Sequence, residues 1–117
     1  MRAILINSKE RTIESIHFDE TKDELQQIYQ LVGCKMFECV SINEYNDVYV
    51  DEEGSLNVDN TTKFFKLKRG HQPIAGNGLI LGFDDETGAT SDTNLSLEWV
   101  KSQITFHDIF EVALGLV

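Results

Sequence analysis

The sequence predicts an α+β protein: a single compact domain in which a mixed, mostly antiparallel β-sheet carries one main helix. The first observation is a pair of β-prone segments, residues 3–7 and 11–18, separated by the polar residues Ser8-Lys9-Glu10, a pattern typical of a β-hairpin. The second is an amphipathic helical segment at about residues 22–32, and the third is a series of short β-prone segments separated by turn residues. The order of hairpin, helix and strands is similar to the opening of a β-grasp fold, an analogy of fold alone.

The helix is predicted from the spacing of its apolar residues and from the residues at its two ends. Thr21 and Glu24 have the spacing of a capping box, in which each side chain bonds the backbone N–H of the other residue. Gly33 stands where a C-cap glycine belongs. The apolar residues recur at i, i+3, i+4 and i+7, on one helical face: Leu25, Ile28, Tyr29 and Val32. We expect this face to pack on a sheet whose members include Ile4, Ile6, Val40 and Leu81.

The remaining elements are predicted from short apolar runs and from the turn residues between them. Residues 35–42 alternate with apolar side chains on both faces, which predicts a central strand. Gly54 ends an acidic turn and is free to adopt a positive φ. A second short helix is expected at residues 95–103, with Asn94 or Ser96 as its N-cap. The other predicted strands are residues 48–50, 64–67, 79–81 and 104–106.

One glycine-rich stretch stands out: Gln72-Pro73-Ile74-Ala75-Gly76-Asn77-Gly78-Leu79-Ile80-Leu81-Gly82. It contains the only proline of the chain. Glycine is used where φ must be positive or where another backbone or a ligand comes close. We therefore expect the chain to enter extended, to turn at residues 76–78 with a positive φ at Gly76 or Gly78, and to leave as a buried strand. The structural interpretation is a tight turn within a sheet.

The functional interpretation of the same turn is a loop whose bare N–H groups face a ligand or a partner. The stretch is not a phosphate-binding loop, because it lacks the Gly-x-x-x-x-Gly-Lys-Ser/Thr pattern, and it lacks the third glycine and the helix start of a dinucleotide-binding motif. The candidate binding residues, for a ligand or a partner, are His71, Gln72, Gly76, Asn77 and Gly78.

The charge of the chain argues against several classes of partner. Twenty acidic side chains against ten basic ones give a formal net charge of −10, which opposes direct binding to nucleic acid and to anionic membranes. Neither a signal peptide nor a segment of membrane-spanning length is recognisable. We therefore expect a cytoplasmic protein in which Cys34 and Cys39 are free thiols, and no cofactor is predicted.

No group of residues has the spacing of a catalytic or metal site. The three histidines are not spaced like metal ligands on one element, and the two cysteines lack a second pair. The acidic loop at residues 84–92 faintly resembles a calcium loop, but Ala89 occupies the position that needs glycine. No Ser or Cys has an evident base and orienting residue. The sequence thus predicts neither a metal site nor a catalytic residue.

Four segments occur in a characteristic order: Met-Arg-Ala-Ile-Leu-Ile-Asn at the start, Tyr29–Gly33 followed by Cys34, Val48-Tyr49-Val50-Asp51-Glu52-Glu53-Gly54, and residues 72–82. In this order the chain resembles a family of small uncharacterised proteins, a domain of unknown function, found in phages, plasmids and bacterial accessory genomes. The resemblance covers most of residues 1–106, and Pro-x-Ala-Gly-x-Gly is its most distinctive part. It implies a compact cytoplasmic domain often carried by mobile elements, and it implies no known reaction.

The C-terminal segment is unusually apolar for a chain end. We predict one α+β domain at residues 1–107, and at residues 108–117 a tail that docks on the core or on a partner chain, because chain ends are usually polar unless docked. A homodimer contact through this tail is the favoured outcome. Its six large apolar residues are Ile109, Phe110, Val112, Leu114, Leu116 and Val117.

Three classes of function remain open on the sequence. The first is a non-enzymatic interaction protein, an accessory factor of a mobile element that acts on a host protein; an acidic mimic of nucleic acid is one version, weakened because the acidic residues lie in separate turns. The second is a small-molecule binding domain that uses the Gly76–Gly78 turn. An enzyme ranks last, because no catalytic constellation is present. A concave pocket at His71 and Asn77 would favour the second class, and a flat acidic face the first.

Overall fold

The computed structural model describes residues 1–70 and 72–117 of the chain. The strands in this part are β1 (Arg2–Asn7), β2 (Thr12–His17), β3 (Phe37–Asn43), β4 (Asn46–Asp51), β5 (Lys63–Leu67), β6 (Ile74–Ala75), β7 (Gly78–Phe83), β8 (Thr90–Ser91) and β9 (Ile104–Asp108). The helices are α1 (Glu24–Val32), α2 (Leu97–Gln103), α3 (Ile109–Ala113) and a 3-10 helix at Gly54–Asn57.

These strands form two sheets. The larger sheet has the order β2-β1-β7-β4-β3, with β8 paired to the end of β7, and the smaller sheet has the order β6-β5-β9. Every strand pairing in the described residues is antiparallel. The predicted α+β class is therefore confirmed, together with the β1–β2 hairpin and the main helix that follows it.

The larger sheet is covered on both faces. Because side chains alternate along a strand, β1 directs Ile4 and Ile6 to one face and Ala3 to the other. The face of Ile4 packs against the smaller sheet and α2, through Phe65, Val100 and others, whereas the face of Ala3 packs against α1. Residues 78–82 of β7 are buried throughout, which makes β7 the centre of the domain.

Helix α1 confirms the predicted apolar face only in part. Ile28 and Val32 are buried on the same side of the sheet as Leu81, as predicted, but Leu25 is 50% exposed. The sheet under α1 includes the strands of Ile4, Ile6 and Val40, as predicted, although these three side chains point to its opposite face. Because both faces of the sheet are covered, the sequence pattern alone does not show which face receives the helix.

The two ends of α1 differ in how well they were predicted. The predicted capping box is wrong, because Asp23 caps the helix by accepting a hydrogen bond from the Gln26 N–H at 2.9 Å. Thr21 instead donates its N–H and its hydroxyl to Asp19 in a turn before the helix. Gly33 is confirmed as the C-cap, with φ +77° and its N–H donated to the carbonyl of Tyr29.

Strand β3 and Gly54 also depart from the predictions. β3 pairs with β4 alone and lies at the edge of the sheet instead of its centre. Its two apolar faces are explained by α1 packing near Phe37 and by the smaller sheet packing near Val40 and Ile42. Gly54 does not have a positive φ; it begins the 3-10 helix, an element that the sequence pattern did not indicate.

A buried polar network fixes the segment that leads into α2. Asn46 is fully buried; its Nδ2 donates to Asn94 Oδ1 at 2.7 Å, and its Oδ1 accepts from the Thr93 hydroxyl at 2.6 Å. A buried side-chain amide needs partners of this kind, because leaving it unsatisfied costs about 1–3 kcal/mol. Ser96 then caps α2 by accepting from the Trp99 N–H, as predicted. The network thereby ties the segment that precedes α2 to the start of β4.

We predict that Ile28→Ala destabilises the protein by about 2–4 kcal/mol, because it leaves a cavity between α1 and the sheet. Leu25→Ala on the same helix is the matched control and should cost less than about 1 kcal/mol, since Leu25 is half exposed. Urea unfolding of the two variants measures both values. Equal midpoints for Ile28→Ala and the wild type would show that α1 contributes little to the core.

Candidate functional site

The glycine-rich turn carries the chain from one sheet to the other. β6 belongs to the smaller sheet and β7 to the larger one, and only Gly76 and Asn77 separate them. Gly76 has φ +89°, which confirms the predicted positive φ, and its N–H donates to the carbonyl of Lys63 at 3.0 Å. L-residues with a side chain rarely adopt this backbone conformation. The turn therefore requires glycine at position 76 for its backbone conformation.

Gly78 is required for a different reason. A Cβ at this position would lie 2.8 Å from Cζ of Phe65 and 2.9 Å from Cγ2 of Val48, too close for either contact. Phe65 belongs to the smaller sheet and Val48 to the larger one. The bare backbone of Gly78 thus lets the two sheets approach each other, and the same burial leaves no surface there for a ligand.

Ser8 fixes the turn to the β1–β2 hairpin. Ser8 is almost fully buried, and its hydroxyl donates to the carbonyl of Gly76 at 2.5 Å. Its backbone N–H donates to Oδ1 of Asn77 at 3.2 Å. Both Gly76 and Asn77 therefore have structural partners, which accounts for these residues without a ligand.

The predicted binding residues do not all lie together. Gly76 and Asn77 border an open cleft of about 660 Å³, lined also by Ser8, Lys9 and residues 60–63. Gln72 lies in another cleft, of about 160 Å³, beside residues 73–75 and the turn at 50–55. His71 lies outside the described residues. A binding role for these five residues stays a prediction, and the structure places only Gly76 and Asn77 in one cleft.

A second groove lies between the edge strand β3 and helix α2, and the sequence analysis missed it. It has a volume of about 160 Å³. Trp99, the only tryptophan of the chain, is 39% exposed on its wall. No carboxylate among the described residues lines it, although the chain carries twenty acidic residues. The lining consists of Val40, Ser41, Ile42, Asn43, Leu67, Lys68, Arg69, Gly70, Trp99 and Gln103. We call this feature the Trp99 groove.

The elements around the Trp99 groove explain its apolar floor. Val40 and Ile42 face the smaller sheet from β3, and Leu67 faces them from the end of β5. The carbonyl of Gln103 accepts from the N–H of Lys68 at 2.8 Å, which ties the end of α2 to the end of β5. The basic residues Lys68 and Arg69 extend from this junction, and neither forms an ion pair within the described part of the chain. The lone tryptophan beside a helix cap was the signal that could have revealed the groove.

The edge of β3 beside this groove has backbone groups that no other strand of residues 1–70 and 72–117 pairs with. The Glu52 N–H donates to the carbonyl of Met36 at 3.0 Å. This bonded pair comes directly before the first residue pair of the β3–β4 ladder. Antiparallel strands bond through every second residue, so that Glu38 and Val40 continue this pattern toward β4. The residues that alternate with these are Phe37, Cys39 and Ser41. Their N–H and C=O groups point away from β4, toward the side of β3 on which no described strand pairs with it.

Two side chains of β9 and one of α3 have the spacing of a nucleophile, a base and an orienting acid. Thr105 Oγ1 lies 2.7 Å from His107 Nε2, and His107 Nδ1 lies 3.1 Å from Glu111 Oε2. The hydrogen bonds of Glu111, from His107 first and from the Asp108 N–H next, lower the pKa of its carboxyl. Glu111 also completes the capping box of α3 with Asp108. The bonds of Glu111 to His107 and Asp108 link α3 to β9, and the three clefts described above do not include Thr105.

The two cysteines and Tyr49 do not have the environment of reactive groups. The pKa of the Cys34 thiol is raised mainly by burial and to a smaller extent by nearby Asp51. Burial and then Asp47 raise the pKa of the Cys39 thiol in the same way. A raised pKa leaves little thiolate at neutral pH, and the thiolate is the nucleophile and the metal ligand. Burial also raises the pKa of Tyr49 to about 12, so that its hydroxyl stays protonated.

No group of three or more His, Cys, Asp or Glu side chains in residues 1–70 and 72–117 is arranged to hold a metal ion. None of the helices in this part has the length and apolar character that crossing a bilayer requires.

Comparison with protein families gives a single assignment. Residues 1–105 match DUF3846, a domain of unknown function. The chain belongs to this family. The match ends within β9 and includes both the turn at Gly76 and the Trp99 groove. Comparisons with curated proteins and with solved structures found no match. The DUF3846 assignment names no reaction.

We predict that Gly76→Ala destabilises the domain by more than the ~1 kcal/mol usual for such a change, because φ is +89° at this position. Gly76→Asn is the matched control and should cost less, since asparagine tolerates positive φ better than alanine. Thermal unfolding of both variants measures the difference. A Gly76→Ala protein as stable as the wild type would contradict the requirement for a positive φ.

Proposed function

We propose that this DUF3846 domain is a non-enzymatic interaction domain that binds a partner protein through the Trp99 groove. The observation that supports this most is the exposed Trp99 beside an apolar groove that contains two cations and no carboxylate. Tryptophan and arginine are the residue types that most often dominate binding energy in protein interfaces. Both occur here within one concave surface.

The size of the groove favours a protein partner over a small molecule. Pockets for small molecules have volumes of roughly 300–1,000 Å³ and enclose most of the ligand. At about 160 Å³, the Trp99 groove is smaller than this range. It is large enough for one or two side chains that a partner inserts, which is the usual form of a hot spot in an interface.

The class of partner is proposed from the family resemblance. The resemblance to small proteins often carried by mobile elements supports an accessory role in such an element, and a host protein is then the partner to test first. We propose the cytoplasm as the location, because the chain has two free cysteines and no disulfide among its described residues.

The second candidate function is binding of a small anionic molecule in the cleft at Gly76 and Asn77. One observation favours it: the cleft of about 660 Å³ has Lys9 and Lys63 in its lining, and its volume lies in the range of ligand pockets. The nearby Asp59, whose carboxylate bonds Thr61 and Thr62, works against an anion. Ligand-induced amide shifts at Asn77 would favour the cleft, and shifts at Trp99 would favour the groove.

We predict that Trp99→Ala weakens partner binding by at least about tenfold, the equivalent of ~1.4 kcal/mol. The measurement is quantitative affinity capture from a bacterial lysate, followed by titration calorimetry with the partner that is identified. Leu56→Ala is the matched control, because Leu56 is another exposed apolar side chain, on the 3-10 helix and outside the groove. A partner captured equally by Trp99→Ala and the wild type contradicts the proposed surface.

A homodimer through the C-terminal segment is a further proposal on partners. Ile109 and Val112 are half-buried against the domain, whereas Phe110 and Leu114 are 67% and 72% exposed. Exposed apolar residues that lie close together are typical of an interface, and a two-fold pairing would cover the same patch on both copies. The assignment of residues 108–117 as a separate tail stays a prediction; in the structure, Asp108 is the last residue of β9 and the N-cap of α3.

We predict that the protein is a dimer at high micromolar concentration, and that combining Phe110→Ser with Leu114→Ser makes it monomeric. The reason is that Phe110 and Leu114 are, with Leu116, the three most exposed apolar side chains of the tail. Light scattering after gel filtration measures the mass, with Leu56→Ser as a control of equal polarity change. A wild-type protein that is already monomeric at this concentration rules the tail contact out.

A further inference from the structure

We infer that the Trp99 groove binds an extended, acidic segment of the partner protein, which adds as a strand to the free edge of β3. This inference rests on the interaction function proposed above and specifies the chemistry of the partner. Three features of the groove support it: the unpaired backbone of β3, the apolar floor and the distribution of charge along the strand.

The backbone of β3 offers the hydrogen bonds. Because Met36 is bonded to Glu52, every second residue from Met36 onward directs its backbone groups toward β4. Phe37, Cys39 and Ser41 lie between these residues and direct their N–H and C=O groups outward. Such an edge accepts an extended peptide in the mode called β-augmentation, in which main-chain bonds supply much of the affinity. The irregular register between Ser41 and Asn43 ends the regular edge. The edge therefore suits a segment of about five to seven residues, close to the length of an average strand.

The apolar floor selects the side chains of the segment. On a strand that pairs with β3, every second side chain points to the same face as Val40 and Ile42. That face is the one that meets Leu67 and Trp99 in the groove. The segment should thus present apolar residues at alternate positions, and the Trp99 ring would cover one of them.

The charges along β3 set the polarity of the segment. Lys68 and Arg69 line the groove beside residues 40–43, whereas Glu38 lies toward the other end of the strand, in the cleft that contains Gln72. Lys68 and Arg69 are exposed and lack ion pairs with described residues, so that they are available to a partner. Acidic residues are therefore expected at the end of the segment that lies beside Asn43, and none beside Glu38.

A second copy of the chain is the main competing occupant. An antiparallel pairing of two β3 strands would bring one Glu38 toward the cations of the other copy. Only one carboxylate would then face the two cations, Lys68 and Arg69. A separate segment with two acidic residues at one end supplies a carboxylate for each cation, and for this reason we favour it.

The test uses synthetic seven-residue peptides of alternating valine and threonine with two aspartates at one end, made in both chain directions. Trp99 is the only tryptophan, so that its fluorescence reports binding to the full-length protein directly. We expect saturable binding of one direction, and roughly tenfold weaker binding when the aspartates are replaced by lysines. In the double variant Lys68→Glu and Arg69→Glu this preference should reverse. Both side chains are exposed, so that the variant should fold normally.

Backbone pairing has its own matched control. N-methylation of alternate residues removes the donors from one edge of the peptide and leaves the side chains unchanged, so that one methylated isomer should lose binding and the other should keep it. Amide shifts in the protein should concentrate at Phe37, Cys39 and Ser41. Equal binding of both methylated isomers, or equal binding of aspartate and lysine peptides, overturns the inference. A wild-type dimer that Ser41→Pro dissociates would assign the edge to a second copy and also overturn it.

Failure of the inference is distinguishable from failure of the proposed function. If none of the peptides binds, but a host protein is captured by the wild type and lost with Trp99→Ala, the groove is an interaction surface and the strand mechanism is wrong. If capture is also independent of Trp99, both the mechanism and the proposed function are wrong.

Discussion

The close approach of the two sheets at residues 76–78 is the constraint on which the rest of the structure depends. The chain leaves the smaller sheet after Ala75 and enters the centre of the larger sheet at Gly78, with two residues between. Gly76 supplies the backbone conformation of this crossing, and Gly78 supplies the space that the Phe65 ring occupies. Any side chain at position 78 would separate the sheets, because protein interiors leave little room for added atoms.

The Trp99 groove follows from that approach. With Phe65 packed on β7, the end of β5 is carried toward the edge of the larger sheet, and Leu67 comes to face Val40 and Ile42. The Asn46 network holds the start of α2 on the same side, and the bond between Lys68 and Gln103 holds its end. The sheets and the helix do not meet fully at the edge strand, and the remaining gap is the groove. Gly76 and Gly78 thus influence the shape of the Trp99 groove, although neither residue lines it.

Local features of the fold could be predicted from the sequence, whereas relations between distant segments could not. The hairpin, the C-cap at Gly33, the Ser96 cap and the turn at Gly76 each depend on residues within a few positions of one another, and each is confirmed. The order of the strands and the face that receives α1 depend on packing between distant segments. A strand with apolar residues on both sides, such as β3, was expected at the centre, yet here α1 and the smaller sheet cover the two faces of an edge strand. The capping box at Thr21 is a local prediction that was wrong. The Thr21 hydroxyl bonds Asp19 instead, and the helix is capped by Asp23.

If the domain has the proposed interaction function, the charges around β3 explain how its free edge strand can be kept. Exposed edges pair indiscriminately with other chains unless charges or irregularities limit them. Here Glu38 lies along β3, and the register shift between Ser41 and Asn43 interrupts one end of the strand. An uncharged or acidic strand approaching near Glu38 gains nothing from the cations, and a basic one is repelled at Lys68 and Arg69. Only a segment with acidic residues at the end beside Lys68 and Arg69 gains from these cations without meeting Glu38. The residues that restrict general pairing therefore also define the partner that we propose for this edge.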